Sequence, residues 1–227
     1  MSLPQEQLKQ MAAHAAIEYI APHLQSDMIL GIGTGSTADI FIDALGSLRA
    51  QFKGAVASSE RSAARLKSVG IAVFDLNAVS SLRYYIDGAD EINANLDMLK
   101  GGGGALTREK IVASVAQEFI CIVDQSKCVE VLGQFPLPIE AIDLSVQAVM
   151  RWAKSHGGQP SVRANFTTDN GHPIIDIKGL KITDPRAFEA ELDHVPGVVT
   201  NGLFAIRGAD VALVASLDGV QTLMRAS

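Results

Sequence analysis

Three carboxylates fall within five residues at Asp87-Gly88-Ala89-Asp90-Glu91. They follow Tyr84 to Ile86, a short apolar run that reads as a strand. Acidic groups at a strand end are costly unless solvated, paired or used. One reading is a hydrophilic turn in which Asp90 or Glu91 caps a neighbour. A second strand end, Lys100-Gly101-Gly102-Gly103-Gly104, favours use. Ordering four glycines forfeits chain entropy. That is reasonable where backbone amides must line a ligand, and a flexible surface loop is the other reading. A third strand end carries Gly31-Ile32-Gly33-Thr34-Gly35-Ser36-Thr37. Its small residues would let the backbone approach an anion, with hydroxyls and helix N-terminal amides as donors. Phosphate cradle and tight strand-to-helix turn are equally compatible with the spacing. It is not the dinucleotide fingerprint, because Ser36 occupies the place of the third glycine, and it lacks the lysine of a Walker A loop.

Glu109 opens the next helix in Thr107-Arg108-Glu109-Lys110. A carboxylate in a first turn compensates the helix dipole, and the same group could serve as a general base. Lys127 ends the Val123-Asp124-Gln125-Ser126-Lys127 segment, facing the same crevice or solvating an edge. The five histidines are scattered without metal-ligand spacing, and no Cys-x-x-Cys pair occurs, so a metal site is not expected. No Gly-x-Ser-x-Gly elbow is present, which argues against an α/β-hydrolase.

The elements that must position these residues alternate. Leu8, Met11, Ala12, Ala15, Ala16, Tyr19 and Ile20 recur at helical spacing. Strands are expected at 27–32, 54–57, 71–74, 84–86, 98–100 and 119–123. Helices are expected at 38–48, 60–69 (closed by Gly70) and 107–118. Strands alternating with helices imply a parallel sheet covered on both faces. After Pro136-Leu137-Pro138 the order becomes β-α-β-β-α-β, the split-βαβ ferredoxin-like pattern. Asn170-Gly171 supplies a hairpin turn, and Asp184-Pro185 starts a helix as cap and first residue. Trp152 and Phe188 read as core of that region. The tail, Val211 to Ala215 plus a helix from about Asp218, resumes the first pattern. The expected fold class is therefore α/β, a Rossmann-like parallel-sheet domain (1–136 plus 207–227) with a smaller ferredoxin-like α+β domain (137–206).

Composition narrows the function classes. The 227 residues are 48% hydrophobic and 19% charged, which excludes a disordered chain. The net charge of −6 argues against a general nucleic-acid binder. Two cysteines, Cys121 in an apolar run and Cys128 after Lys127, are too few for a disulfide scaffold. No stretch approaches a membrane span of roughly 18 residues. Met1 to Glu6 lacks the features of a signal peptide. A cytoplasmic protein is expected.

Taken in order and spacing, these motifs resemble the type A ribose-5-phosphate isomerases. The residues that carry the resemblance are Gly31 to Thr37, Asp87 to Glu91, Lys100 to Gly103, Ala105 to Lys110 and Asp124 to Lys127. Pro196 to Phe204 and Arg207-Gly-Ala-Asp210 are also similar to that family. Gly104 and Ala57-Ser-Ser-Glu-Arg-Ser62 are local differences. The resemblance spans nearly the whole chain. It implies isomerisation of ribose 5-phosphate and ribulose 5-phosphate through an enediolate, without metal or organic cofactor. It further implies that Thr34, Gly35, Ser36 and Thr37 contact substrate, with Ser36 and Thr37 on its phosphate and Lys9 assisting. Asp87, Gly88, Ala89 and Asp90 would meet the sugar, the two aspartates helping to open its ring. Lys100 and the amides of Gly101, Gly102 and Gly103 would stabilise the developing oxyanion. Glu109 would be the base, and Lys127 would complete the site. A homodimer is implied, with a small sugar phosphate as ligand and neither nucleic acid nor membrane as partner.

The chemistry agrees with that allocation. A proton beside a carbonyl is too weakly acidic for an unaided carboxylate, so fixed donors or a cation must hold the oxyanion. Glucosamine-6-phosphate deaminases and coenzyme A transferases have related folds, by analogy only. The non-enzyme alternative is a sugar-phosphate-sensing module. Such a module is expected to carry a DNA-binding segment, and a poised base would gain it nothing.

Overall fold

The computed structural model describes residues 4–226, so the part of the N-terminal reading on Met1, Ser2 and Leu3 lies outside the described residues. The first elements are α1 (Gln5–Ile20), β1 (Ile29–Ile32), α2 (Ser36–Leu45), β2 (Gly54–Ala57), α3 (Glu60–Ser68) and β3 (Leu82–Asp87). Next come β4 (Glu91–Ile92), β5 (Met98–Leu99), α4 (Leu106–Ser114), β6 (Ala116–Asp124), β7 (Leu137–Ala141), α5 (Val146–Ser155) and β8 (Gln159–Val162). The chain closes with β9 (Ile174–Lys178), α6 (Pro185–Asp193), β10 (Val198–Asn201), β11 (Leu203–Phe204), β12 (Val211–Ser216) and β13 (Gly219–Met224). It forms two compact units. One holds the residues up to Gly88, Arg108–Lys127 and those from Ala209; the other holds Ala89–Thr107 and Cys128–Gly208.

The first unit is a six-stranded sheet in the order β13-β12-β6-β3-β1-β2. Every neighbouring pair is parallel except β12 with β13. Parallel strands are buried on both faces, which is why Phe119 to Val123 form an unbroken apolar run. Helix α1 buries Leu8, Ala12, Ala16 and Ile20, four residues apart, against that core. Strand β1 lies between β2 and β3, so the chain leaves it on one side and returns on the other. In open α/β sheets the carboxyl ends at such a switch point are where ligands bind. Gly33 to Gly35 follow β1 there, and Asp87 ends β3.

The second unit contains the four-stranded antiparallel sheet β10-β7-β9-β8, with α5 and α6 contributing Val149, Ala153 and Leu192 to its core. Numbered within this unit the order is 4-1-3-2, as the split-βαβ pattern requires. Asp184 caps α6 by accepting from the Ala187 amide at 3.0 Å, with Pro185 in the first turn. A smaller sheet, β11-β5-β4, completes the unit. Residues 89–107 and 128–136 belong with this unit. The cause is long-range pairing: β5 joins β11, Ile92 bridges Cys128, and the buried Glu91 carboxylate accepts from the Gly133 amide at 2.7 Å and from the Phe135 amide.

Three expectations are corrected. The tail from Asp218 is not a helix. Gly219 to Met224 form β13, paired antiparallel with β12 from Ser216↔Gly219 to Val211↔Met224. Gly219 turns the chain at φ +117°, and β13 satisfies backbone groups that β12 would otherwise expose. Residues 71–74 form one bridge, Ala55↔Val73, rather than a strand. Helix α4 stops at Ser114, and 116–118 enter β6, where Ala116 and Glu118 pair with Leu82 and Tyr84. Ladder pairing overrides the local helical preference there.

Candidate active site

In the first unit, Asp87 is fully buried and its carboxylate accepts hydrogen bonds from its surroundings. The Thr34 amide reaches Oδ1 at 3.1 Å, the Gly88 amide reaches it at 2.8 Å, and the Tyr85 hydroxyl donates to Oδ2 at 2.6 Å. This approach requires a glycine next door. A Cβ on Gly33 would lie 1.9 Å from the Asp87 carboxyl carbon. Hydrogen bonds to an ionised carboxylate are the stronger kind, so the side chain is fixed.

Thr34 is held as firmly. Its hydroxyl lies 2.8 Å from both Ser58 Oγ and Ser59 Oγ and 3.3 Å from Ser62 Oγ. Ser62 in turn donates to the Gly33 carbonyl at 2.7 Å. The stretch 57–62, which the sequence marks only as a local difference, is therefore what pins the glycine loop. Gly35, at φ +134°, stands before α2, and the first intrahelical bond runs from the Asp39 amide to the Gly35 carbonyl at 2.8 Å. By helix geometry the amides of Ser36 and Thr37 precede that bond and are available to an anion.

Glu109 sits in the first turn of α4 with only 3% of its surface exposed. Its charge and that of Asp87 both act on Tyr85. Burial, then these carboxylates, hold the Tyr85 phenol well above its ordinary value, so it stays a neutral donor. The structure thus sets Asp87 and Glu109 about one buried tyrosine, which the sequence places only in a strand. Its alternation with Asp87, two residues on, was the signal available. Lys127 is half-buried in the turn after β6, where Asp124 accepts from the Ser126 amide at 2.9 Å. Lys9 lies on α1, 4.0 Å from Glu6.

In the second unit, Lys100 follows β5 and is buried at 3% exposure. Its amide donates to the Gly202 carbonyl at 2.8 Å, and its ammonium lies 5.4 Å from the Phe204 ring centre, within cation–π range. Asp90 accepts from the Gly102 amide at 2.8 Å through Oδ2, while Gly102 and Gly103 are exposed. Ala89 and Gly88 are half-buried. Of the three clustered acids, Glu91 caps the 133–135 loop and Asp90 accepts from the glycine loop. The structure fixes Asp87 and Asp90 by separate networks three residues apart along the chain. Among the described residues no group of three or more His, Cys, Asp and Glu side chains is placed to hold a metal ion. Cys121 is buried and Cys128 exposed, both as free thiols.

Similarity to known proteins shows the family. The family model for ribose 5-phosphate isomerase A (phosphoriboisomerase A) matches residues 54–219. Ribose-5-phosphate isomerase A of Bordetella petrii is 59% identical over 223 residues, covering 98% of this chain and 99% of that one. The crystal structure of ribose 5-phosphate isomerase A from Neisseria gonorrhoeae superposes with a TM-score of 0.94 at 42% identity over 100% of both chains. A D-ribose-5-phosphate isomerase in complex with phospho-erythronic acid superposes at 0.92 and 34% identity, covering 98% of this chain and 100% of that one. The chain belongs to the ribose-5-phosphate isomerase A family, aldose–ketose isomerases that interconvert ribose 5-phosphate and ribulose 5-phosphate.

Proposed function

We propose that this chain carries out the reaction with Glu109 as the base. Glu109 takes the C2 proton of the open-chain aldose, and the C1 carbonyl oxygen takes up the negative charge. The hydroxyl proton on O2 passes to O1, and Glu109 returns its proton to C1 to give the ketose. The Lys100 ammonium and the amides of Gly101, Gly102 and Gly103 stabilise the oxyanion. Asp87 and Asp90 orient the sugar hydroxyls and assist ring opening, beside Gly88 and Ala89. Ser36 and Thr37, after Thr34 and Gly35, hold the phosphate, with Lys9 and Lys127 supplying positive charge. The phosphate is remote from the reacting carbons, so its binding energy serves orientation.

The observation that carries this reading is the burial of Glu109 at a helix start, in the same unit as the fixed Asp87–Thr34 pair at the sheet's switch point. Replacing Glu109 by Gln keeps shape and removes the base. Turnover is expected to fall by roughly 10²–10⁴-fold while substrate still binds. Ketose absorbance measures the first and calorimetry the second. Near-normal turnover would remove Glu109 from this role. Proton transfer of this kind is expected to survive a chelator. Phospho-erythronic acid, the ligand named for the related structure, carries an anionic oxygen at its reacting end and tests the oxyanion donors directly. A homodimer in the cytoplasm belongs to the same reading by family resemblance. Light scattering tests the dimer and cell fractionation the location.

A further inference from the structure

The glycine run 101–104 could turn its peptides over at little cost, because glycine is free in φ and ψ. One side chain spans two of those peptides. Arg163 Nη1 donates to the Gly101 carbonyl at 3.2 Å and to the Gly102 carbonyl at 3.1 Å. Arg163 is itself locked. Its Nε and Nη2 form a fork on Asp176, at 2.9 Å to Oδ2 and 2.6 Å to Oδ1. Its backbone amide donates to the Ile174 carbonyl at 2.8 Å, next to β9. The guanidinium lies 5.3 Å from the Phe166 ring centre, and the Phe166 ring fills the space a Cβ on Gly104 would take. Gly101, Gly102 and Gly104 are thus held by residues of the 163–166 segment.

A trans peptide is planar, so its C=O and the following N–H point in opposite directions. Fixing the carbonyls of Gly101 and Gly102 therefore turns the amides of Gly102 and Gly103 away from Arg163. The Gly102 amide is accordingly found on Asp90, at 2.8 Å. The Gly103 amide has the same enforced sense, at an exposed residue where nothing lies within 4 Å of a built Cβ. A cation on a carbonyl also polarises the whole peptide and makes its N–H a better donor. We propose that Arg163, held by Asp176, is a positioning residue that turns the Gly102 amide onto Asp90 and orients and polarises the Gly103 peptide as an oxyanion donor. This rests on the reading of 101–103 as the oxyanion site.

The test compares Arg163→Gln, Arg163→Lys and Asp176→Asn with the unaltered enzyme. Each is characterised by circular dichroism, melting temperature, steady-state kinetics and binding of phospho-erythronic acid. Arg163→Gln is expected to lower kcat by about ten- to a hundred-fold, less than the roughly 10²–10³-fold cost of deleting an oxyanion donor. KM is expected to stay within about three-fold, because ground-state binding is left in place. Affinity for phospho-erythronic acid is expected to fall with kcat. Lysine cannot hold the Asp176 fork and reach two carbonyls, so Arg163→Lys should resemble Arg163→Gln. Asp176→Asn should lose kcat in the same sense to a smaller degree, and it decides the matter if Arg163→Gln does not fold. Folded variants with kcat and inhibitor affinity within about two-fold of the unaltered enzyme overturn the proposal, as does a raised KM at unchanged kcat. An unaltered enzyme that turns over substrate but does not bind phospho-erythronic acid would bring down the oxyanion reading, and this proposal with it. Equal binding by the unaltered enzyme and Arg163→Gln would bring down the positioning role alone.

Discussion

At the residue scale the site depends on buried polar groups whose partners are short and specific. Tyr85 is the clearest case. Its hydroxyl donates to Asp87, and burial, then the charges of Asp87 and Glu109, keep it protonated. Tyr85→Phe removes that donor without changing the packing of the ring against Phe119, which it meets edge-on at 4.8 Å between centres. Leaving a buried acceptor short of a partner costs about 1–3 kcal/mol. Urea denaturation should show a loss of that size. If Asp87 orients substrate, kcat/KM should fall by about ten-fold, equivalent to ~1.4 kcal/mol in the barrier. A variant as active and as stable as its parent would mean that Asp87 is held without the Tyr85 hydroxyl.

At the element scale, α3 does more than cover the sheet. Its cap residue, Ser59, accepts from the Ser62 amide at 3.1 Å and also lies 2.8 Å from the Thr34 hydroxyl. The start of one helix thus sets the loop before another. Ser59→Ala is expected to cost about 1 kcal/mol as a lost N-cap. Because Thr34 loses a partner at the same time, KM for the sugar phosphate should rise as well, whereas a cap with no second role would leave it unchanged. Thermal melting and steady-state kinetics on one preparation separate the two outcomes. The elements were largely legible beforehand. Apolar runs marked β1, β2, β3 and β6, and Asp184-Pro185 marked the start of α6. The tail does not show as a strand in sequence because Val220 to Met224 is short, and only the partner strand β12 makes it one.

At the scale of the whole molecule, two phenols make stability fall in alkali. Tyr19 donates to Glu118 at 2.7 Å, and burial followed by that partner raises its pKa from 10.0 to about 12. Tyr85 is also raised well above its ordinary value, chiefly by burial. In the unfolded chain both ionise near the ordinary value of about 10. Above that pH the folded state binds more protons than the unfolded one, so stability falls as pH rises. Their contribution is complete below pH 10 and, for Tyr19, lost on the way to about 12. Unfolding free energies measured from pH 9 upward should decline along that course. Tyr19→Phe should flatten the decline, and an identical slope in the variant would assign it to other groups.

Local chemistry was enough to single out the acidic strand end, the two glycine loops, Glu109 and the β-α-β-β-α-β order. Each is a matter of residue type and near spacing, and a chain carries those in its own sequence. Tertiary structure decided what holds them. Ser58 and Ser59 reach Thr34 across 24 and 25 residues, Thr34 reaches Asp87 across 53, and Arg163 reaches Gly101 across 62. Such contacts arise only once the strand order is set and buried polar groups must find partners. No periodicity along the chain encodes them.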